Sequence, residues 1–303
     1  MSNMLDGKVC IVTGGGRGLG RDFALALAAA GAKVVVNDIG ASLGGEGRDE
    51  GPAGEVVAEI EAAGGSAIAS LESVADWDGA QRVVESAIQA FGHVDGVINN
   101  AGIVRDRMFF NMSLEEWQAV IDVNLTGAFN VARAVAPHFK AQESGSCVNI
   151  TSTSGLIGNN AQANYAAAKM GIVALSRTIA SDMARYNVRS NCIAPFAWTR
   201  MTSSVPTDTP EQQARVERFK RMEGAKVAPL AIYLLSDASK VTGQIFAVRA
   251  NEMFLMSQIR PLRGVHTEQG WTPESVANHF IPAVENDFYG LEKTADVFSW
   301  DPI

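Results

Sequence analysis

Short β-branched runs alternate with longer alanine-rich stretches along most of this 303-residue chain, and nothing else in the sequence limits its fold so much. Val9 to Thr13, Lys33 to Asn37, Ala67 to Ser70, Val94 to Asn99, Cys147 to Thr151, Val188 to Ala194 and Gln244 to Val248 read as strands. One helical stretch runs from about Gly18 to Ala30 and is ended by Gly31. Another follows a Gly-rich loop from Gly40 to Gly54 and stops near Ala63, a third ends near Phe91, and a long one covers Asn164 to Tyr186. Ser113 with Glu116 reads as a capping box, and Thr209-Pro210 with Gln212 as a capped helix start. Thr272-Pro273-Glu274 reads as another start. Strands joined through helices of this length form βαβ units and so a parallel sheet. The strand runs lack in–out alternation, which predicts helices on both faces. The expected class is α/β. One domain covers residues 1–250, and residues 251–303 are a C-terminal extension packing on it.

Composition limits the function. Apolar residues are 47% of the chain and charged residues 19%, which argues for a large core and against disorder. Net charge is −8, and no run of Lys and Arg offers the basic stripe that nucleic acid needs. Cys10, Cys147 and Cys192 are odd in number, far apart and each inside an apolar run. Buried thiols are expected there, with no disulfide framework and no metal site. Met1 to Lys8 lacks the apolar stretch of a secretory signal, and Asp301-Pro302-Ile303 is not a peroxisomal address. No apolar run reaches the ~20 residues of a membrane span. These features point to a cytoplasmic protein with no membrane partner.

The first strand runs into Thr13-Gly14-Gly15-Gly16-Arg17-Gly18-Leu19-Gly20 and then a helix. Side chains at such glycines would keep the backbone away from a pyrophosphate, and the helix N-terminus supplies free N–H groups and partial positive charge. A tight strand-to-helix turn is the plain alternative; the position after the first strand favours phosphate binding. Asp38 ends the second strand, 18 residues after Gly20. A carboxylate there accepts from the adenosine ribose hydroxyls and repels a 2′-phosphate, which favours NAD. Its alternative is a solvated turn residue. Arg17 cuts the other way, because a guanidinium beside the ribose can pair a phosphate, so NADP stays open unless Arg17 points to solvent.

Tyr165 and Lys169 are four apart in a strong helical pattern and share a face. A phenol has a pKa near 10, and a neighbouring ammonium lowers it. A part-buried tyrosine with a solvated lysine is the plain alternative. Ser152 lies just past the fifth strand run, where a hydroxyl could hold a substrate oxygen; Thr151, Thr153 and Ser154 are its local competitors. Asn99-Asn100-Ala101-Gly102 follows the fourth, at the same sheet edge as the Gly-rich turn, where ligands of open parallel sheets bind.

Taken in order, the Thr-Gly-x-x-x-Gly-x-Gly turn, Asn99-Asn100-Ala101-Gly102, Asn124, Ser152 and Tyr165-x-x-x-Lys169 resemble the short-chain dehydrogenase/reductase family over about residues 5–250. The resemblance implies a Rossmann-type doubly wound sheet of about seven parallel strands. It implies a nicotinamide cofactor, a small-molecule substrate, and a homodimer or homotetramer packed through the helices holding Asn124 and Tyr165. It makes Tyr165 the acid/base, Ser152 the holder of the reacting oxygen, and Lys169 the support of the phenolate and nicotinamide ribose. Asn124 then supports a water linking Lys169 to solvent. The implied cofactor set is Gly14, Arg17, Gly18, Leu19, Gly20, Asp38, Ser73, Val74, Asn100, Ala101, Gly102, Tyr165, Lys169 and Pro195. Segments around Asp38, Arg105, Asn159, Ile193-Ala194-Pro195 and Arg200-Met201-Thr202 are further similar to the (3R)-hydroxyacyl-CoA dehydrogenase branch of that family. Two positions depart from the family pattern: Phe196 stands where Gly follows Pro, and Ser73 where many members carry an acid.

The expected reaction is hydride transfer between NAD and a secondary alcohol or ketone, of 3-hydroxyacyl-CoA or steroid type. The alternatives are an NADPH-dependent 3-oxoacyl reductase and a non-catalytic dinucleotide-binding protein. Met108, Phe109, Phe110, Phe196, Trp198 and Met201 either line an apolar substrate pocket or pack helices. Arg105 and Arg107 either attract a CoA phosphate or belong to a solvated loop.

Overall fold

The computed structural model describes residues 3–42, 44–47, 49, 51–197 and 209–302. Among these, eight strands form one sheet: β1 (Val9–Thr13), β2 (Lys33–Asn37), β3 (Ser66–Ser70), β4 (Gly96–Asn99), β5 (Gly145–Ile150), β6 (Val188–Phe196), β7 (Ile245–Arg249) and β8 (Glu252–Leu255). Their order is β3-β2-β1-β4-β5-β6-β7-β8. The first seven run parallel, with Thr13 opposite Asn37 and Ile98 opposite Val12. The chain therefore builds outward from β1 in one direction, then returns to start the other half at β4. That reversal opens a crevice at the carboxyl ends of β1 and β4.

The eighth strand was not expected. It folds back antiparallel on β7 through Ala250, which holds φ at 52°. A hairpin needs no intervening helix, so the βαβ rhythm gives no warning of it. The sheet thus continues past residue 250 into the extension.

The main helices are α1 (Gly18–Ala29), α2 (Gly51–Ala62), α3 (Trp77–Phe91), α4 (Leu114–Ile121), α5 (Gly127–Ala141), α6 (Thr153–Leu156), α7 (Ala163–Asp182), α8 (Pro210–Lys220) and α9 (Ala228–Leu235). α2 starts inside the expected loop, because Asp49 accepts the Gly51 N–H and opens the helix early. Ser113 and Glu116 cap α4 reciprocally, as do Thr209 and Gln212 at α8. Thr272 also caps a short helix, with Ser275 as its partner rather than an acid.

Successive residues of β1 feed two cores. Cys10 and Val12 meet Phe23, Leu27, Ile60 and Leu234 on one face. Val9 and Ile11 meet Val83, Val131 and Phe139 on the other. Apolar residues at every strand position are what a sheet covered on both faces requires. Cys10, Cys147 and Cys192 are free, buried thiols within this packing.

Candidate active site

A cleft of about 430 Å³ opens where β1, β4, β5 and β6 end. Its walls bring together Gly14, Arg17, Gly18, Leu19, Gly20, Asp38, Ser73, Val74, Asn100, Ala101, Gly102, Asn124, Ser152, Tyr165, Lys169 and Pro195. All of these were read from the sequence; the fold collects them from segments up to 181 residues apart, Gly14 to Pro195.

The turn after β1 is a cradle that side chains would fill. A Cβ on Gly14, whose φ is +63°, would lie 2.9 Å from Ala101 Cα, and one on Gly20 would lie 1.9 Å from Gly14 O. Asn100 ties the turn down: its Nδ2 donates to Thr13 O at 3.0 Å and Gly14 O at 3.1 Å. Thr13 Oγ1 accepts the N–H groups of Asn100 and Ala101, both at 3.0 Å. α1 begins with no side-chain cap and no acid in its first turn, so its leading N–H groups are free to face an anion. At the far end, the Asp38 carboxylate accepts from Gly16 N–H at 2.9 Å and Gly40 N–H at 2.7 Å. Arg17 Nη2 lies 2.9 Å from Asp49 Oδ2. An open cradle, a positive helix end and a carboxylate at the far end of the cleft fit a dinucleotide.

α7 carries Tyr165 and Lys169. Lys169 Nζ is buried, donates to Ile150 O at 2.9 Å and lies 5.5 Å from the Tyr165 ring centroid. Desolvation brings the lysine down to about 8. Burial pushes the Tyr165 phenol up to about 12; the Ser152 hydroxyl pulls it down and the Asp106 charge adds to the rise. Proximity of an ammonium alone predicted a lowered phenol. Here burial sets the phenol, the Ser152 hydroxyl is the group that lowers it, and the Lys169 ammonium is turned to the Ile150 carbonyl.

Ser152 caps α6 and its Oγ accepts the Ser154 N–H at 3.1 Å. Its neighbours are committed elsewhere: Thr151 Oγ1 donates to Lys169 O at 2.6 Å and Ser154 Oγ to Gln162 Oε1 at 2.8 Å. Asn124 sits in a π-helical turn, Asp122–Thr126, between α4 and α5. Its Nδ2 donates to Val120 O at 2.9 Å and Ile103 O at 3.0 Å, while its buried Oδ1 has no partner among the described residues. That oxygen is an acceptor held ready for a water or ligand. The β3–α3 connection carrying Ser73 and Val74 is anchored from α5, where Asn130 Nδ2 donates to Val74 O at 3.0 Å.

Other expectations shift. Met108, Phe109 and Phe110 neither line the cleft nor pack helices; they are 48%, 79% and 76% exposed. Phe196 turns away from the cleft and packs edge-on against Phe298, ring centroids 4.8 Å apart. Trp198, Arg200, Met201 and Thr202 lie outside the described residues. Arg105 contacts Gly44 O and Glu115, and Arg107 binds Glu116 through two nitrogens, so both cations have local carboxylate partners. Sequence reasoning passed over Asp106 and Gln162, which line the cleft and bond to each other at 3.1 Å. Asp106 lies between the two arginines that were singled out, and no spacing marks it. Among the described residues no group of His, Cys, Asp and Glu is arranged to hold a metal ion, and no helix is long and apolar enough to cross a membrane.

The sequence profile of the family described as short chain dehydrogenase matches residues 8–210. A putative short-chain type dehydrogenase/reductase of Mycobacterium tuberculosis is 45% identical over 80% of this chain and 82% of its own length. The peroxisomal multifunctional enzyme type 2 of Mus musculus is 40% identical over 91% of this chain, which spans only 36% of that protein. A 3-oxoacyl-[acyl-carrier-protein] reductase of Synechocystis is 41% identical over 80% of this chain and 96% of its own length. The crystal structure of a short chain dehydrogenase from Mycobacterium avium superposes with a TM-score of 0.83 at 40% identity, covering 95% of this chain and 97% of that one. Its coverage takes in most of the extension.

Proposed function

The chain belongs to the short-chain dehydrogenase family, whose members are oxidoreductases using a nicotinamide dinucleotide, and we propose that it is an NAD-linked dehydrogenase of 3-hydroxyacyl thioesters. The observation that carries the reading is the meeting of Tyr165, Lys169, Ser152 and Asn124 in one cleft with Asp38 at its far end. The Gly14-to-Gly20 turn and the leading N–H groups of α1 would hold a pyrophosphate, and Asp38 the adenosine ribose. Bound there, the dinucleotide supplies the hydride acceptor. Ser152 Oγ holds the carbinol oxygen. Tyr165 Oη takes the proton from that oxygen in oxidation and returns it in reduction. The Lys169 ammonium, held by Ile150 O 5.5 Å from the Tyr165 ring, would support the nicotinamide ribose and the charge that forms on the phenol as its proton moves. The open Asn124 Oδ1 accepts a water that passes the proton outward.

The 3-oxoacyl reductase relative supports the substrate class, since its name gives an oxygen on the third carbon of an acyl thioester. The same relative, with Arg17 on the cleft wall, favours a second reading as an NADPH-dependent 3-oxoacyl reductase. Exposed apolar side chains, Phe129 on α5 and Tyr289 and Leu291 in the extension, support a homodimer or homotetramer. The test is turnover of 3-hydroxyacyl-CoA thioesters and hydroxysteroids with NAD and with NADP, and of 3-oxoacyl thioesters with NADH and with NADPH, followed by absorbance of the reduced dinucleotide. Thioester turnover with NAD supports the proposal. Turnover confined to NADPH and 3-oxoacyl substrates replaces it with the second reading. Tight dinucleotide binding without any turnover leaves only a binding protein.

A further inference from the structure

Arg17 and Asp38 make opposite demands on the adenosine ribose, and a third residue is paired with Arg17. Asp49 comes from the Gly-rich insertion after β2. Its backbone N–H donates to Ile39 O at 3.0 Å, and its Oδ1 accepts the Gly51 N–H at 3.0 Å. The carboxylate is thereby fixed at the start of α2, with Oδ2 at 2.9 Å from Arg17 Nη2. The insertion is held close to the end of β2: a Cβ on Gly40 would come within 1.9 Å of Asp49 O. Arg17 in turn follows Gly16, whose N–H binds Asp38. Asp38 thus holds the backbone of the turn that carries Arg17, while Asp49 holds the Arg17 guanidinium itself.

We propose that Asp49 is a specificity-determining residue, pairing the Arg17 guanidinium so that it is not offered to a 2′-phosphate. The inference rests on the reading of this cleft as an NAD site. The pair is part-exposed, with Arg17 at 33% and Asp49 at 58%, so it adds little to stability. Its weight falls on selectivity. A 2′-phosphate is a dianion that binds where an unmatched guanidinium can present its fork of N–H donors. Beside Asp49 that charge is already matched.

Asp49→Asn removes the charge and keeps an oxygen for the Gly51 N–H. Calorimetric binding of 2′,5′-ADP and 5′-AMP reads the effect without turnover, and kcat/KM with NADP and NAD reads it in the working enzyme. The substitution is expected to tighten 2′,5′-ADP roughly five- to tenfold relative to 5′-AMP and to raise the NADP/NAD ratio by a similar factor. Adding Arg17→Gln to Asp49→Asn is expected to erase the gain. No gain in Asp49→Asn overturns the proposal, and so does a gain that survives loss of Arg17. If the wild-type protein already binds 2′,5′-ADP more tightly than 5′-AMP, the NAD reading itself fails, an outcome distinct from either.

Discussion

Lys169 is a cation placed where a neutral side chain would be more stable. An ordinary lysine keeps its proton to 10.5, and burial brings this one to about 8. Between those values the unfolded chain binds more protons than the folded one, so stability rises with pH across that window. Below about 8 both states carry the charge, and the full penalty of burying it remains. Lys169→Met is expected to lose turnover yet raise the unfolding free energy at neutral pH by about 1–2 kcal/mol, the burial penalty less the lost bond to Ile150 O. Urea unfolding across a pH series checks this: the variant flattens the rise above pH 8, and a less stable variant contradicts the account. Tyr165 titrates in the opposite sense. With the phenol pushed up to about 12, it is protonated through the neutral range and serves directly as the acid of reduction. Its base form, needed for oxidation, grows with pH. Oxidation is therefore expected to speed up from about pH 6 to pH 8 while reduction stays flat. Tyr165→Phe should abolish both directions and leave the dinucleotide dissociation constant within about twofold. A flat oxidation profile, or turnover in the phenylalanine variant, removes Tyr165 from the proton path.

At the scale of elements, legibility followed local pattern. Tyr165 and Lys169 were readable because a four-residue step on a helix puts them on one face, and α7 delivers that step. Gly14 and Gly20 were readable because a strand running into glycines and then a helix has few other uses. Asn124 was reached through family resemblance only. Its π-helical turn widens the helix locally, and no hydrophobic period announces such a turn. The residues alone do not separate Ser152 from Thr151, Thr153 and Ser154, all hydroxyl residues at one strand end; the family resemblance chose it, and the structure commits the Thr151 and Ser154 hydroxyls elsewhere. The Gly-rich turn carries the sharpest prediction at this scale. A Cβ on Gly20 has only 1.9 Å to the Gly14 carbonyl oxygen, a backbone atom that cannot step aside without moving β1 or α1. Gly20→Ala is expected to destabilise the protein by at least about 1–3 kcal/mol and weaken dinucleotide binding more than about tenfold. Thermal unfolding and an NAD titration measure the two, and an alanine accommodated without either effect means the turn is looser than drawn.

For the whole molecule, the alternation of strand and helix carried the parallel sheet, since each βαβ unit is local and the right-handed crossover leaves little choice. The extension was not legible in that way. Its contacts are made with residues far along the chain, and no periodicity records them. Arg249, 4% exposed at the end of β7, meets Glu252 Oε2 at 3.2 Å and donates to the Trp300 carbonyl. Trp300 Nε1 closes the loop on Glu252 Oε1 at 2.7 Å, and Phe298 is wedged against Phe196 and Phe254. Phe196 is the residue that departs from the family's glycine, and it follows Pro195 on the cleft wall. A larger side chain at that position has its ring taken up by the extension, which ties the chain's end to the cleft. Removing residues 298–303 would leave a buried guanidinium short of an acceptor and the Phe196 ring uncovered. The truncated chain is expected to lose about 2–4 kcal/mol of stability and to bind NAD several-fold more weakly. Urea unfolding gives the first and fluorescence titration the second. If stability falls while NAD affinity is untouched, the extension braces the sheet without reaching the cleft through Phe196; if neither changes, the aromatic clamp carries no weight in the fold.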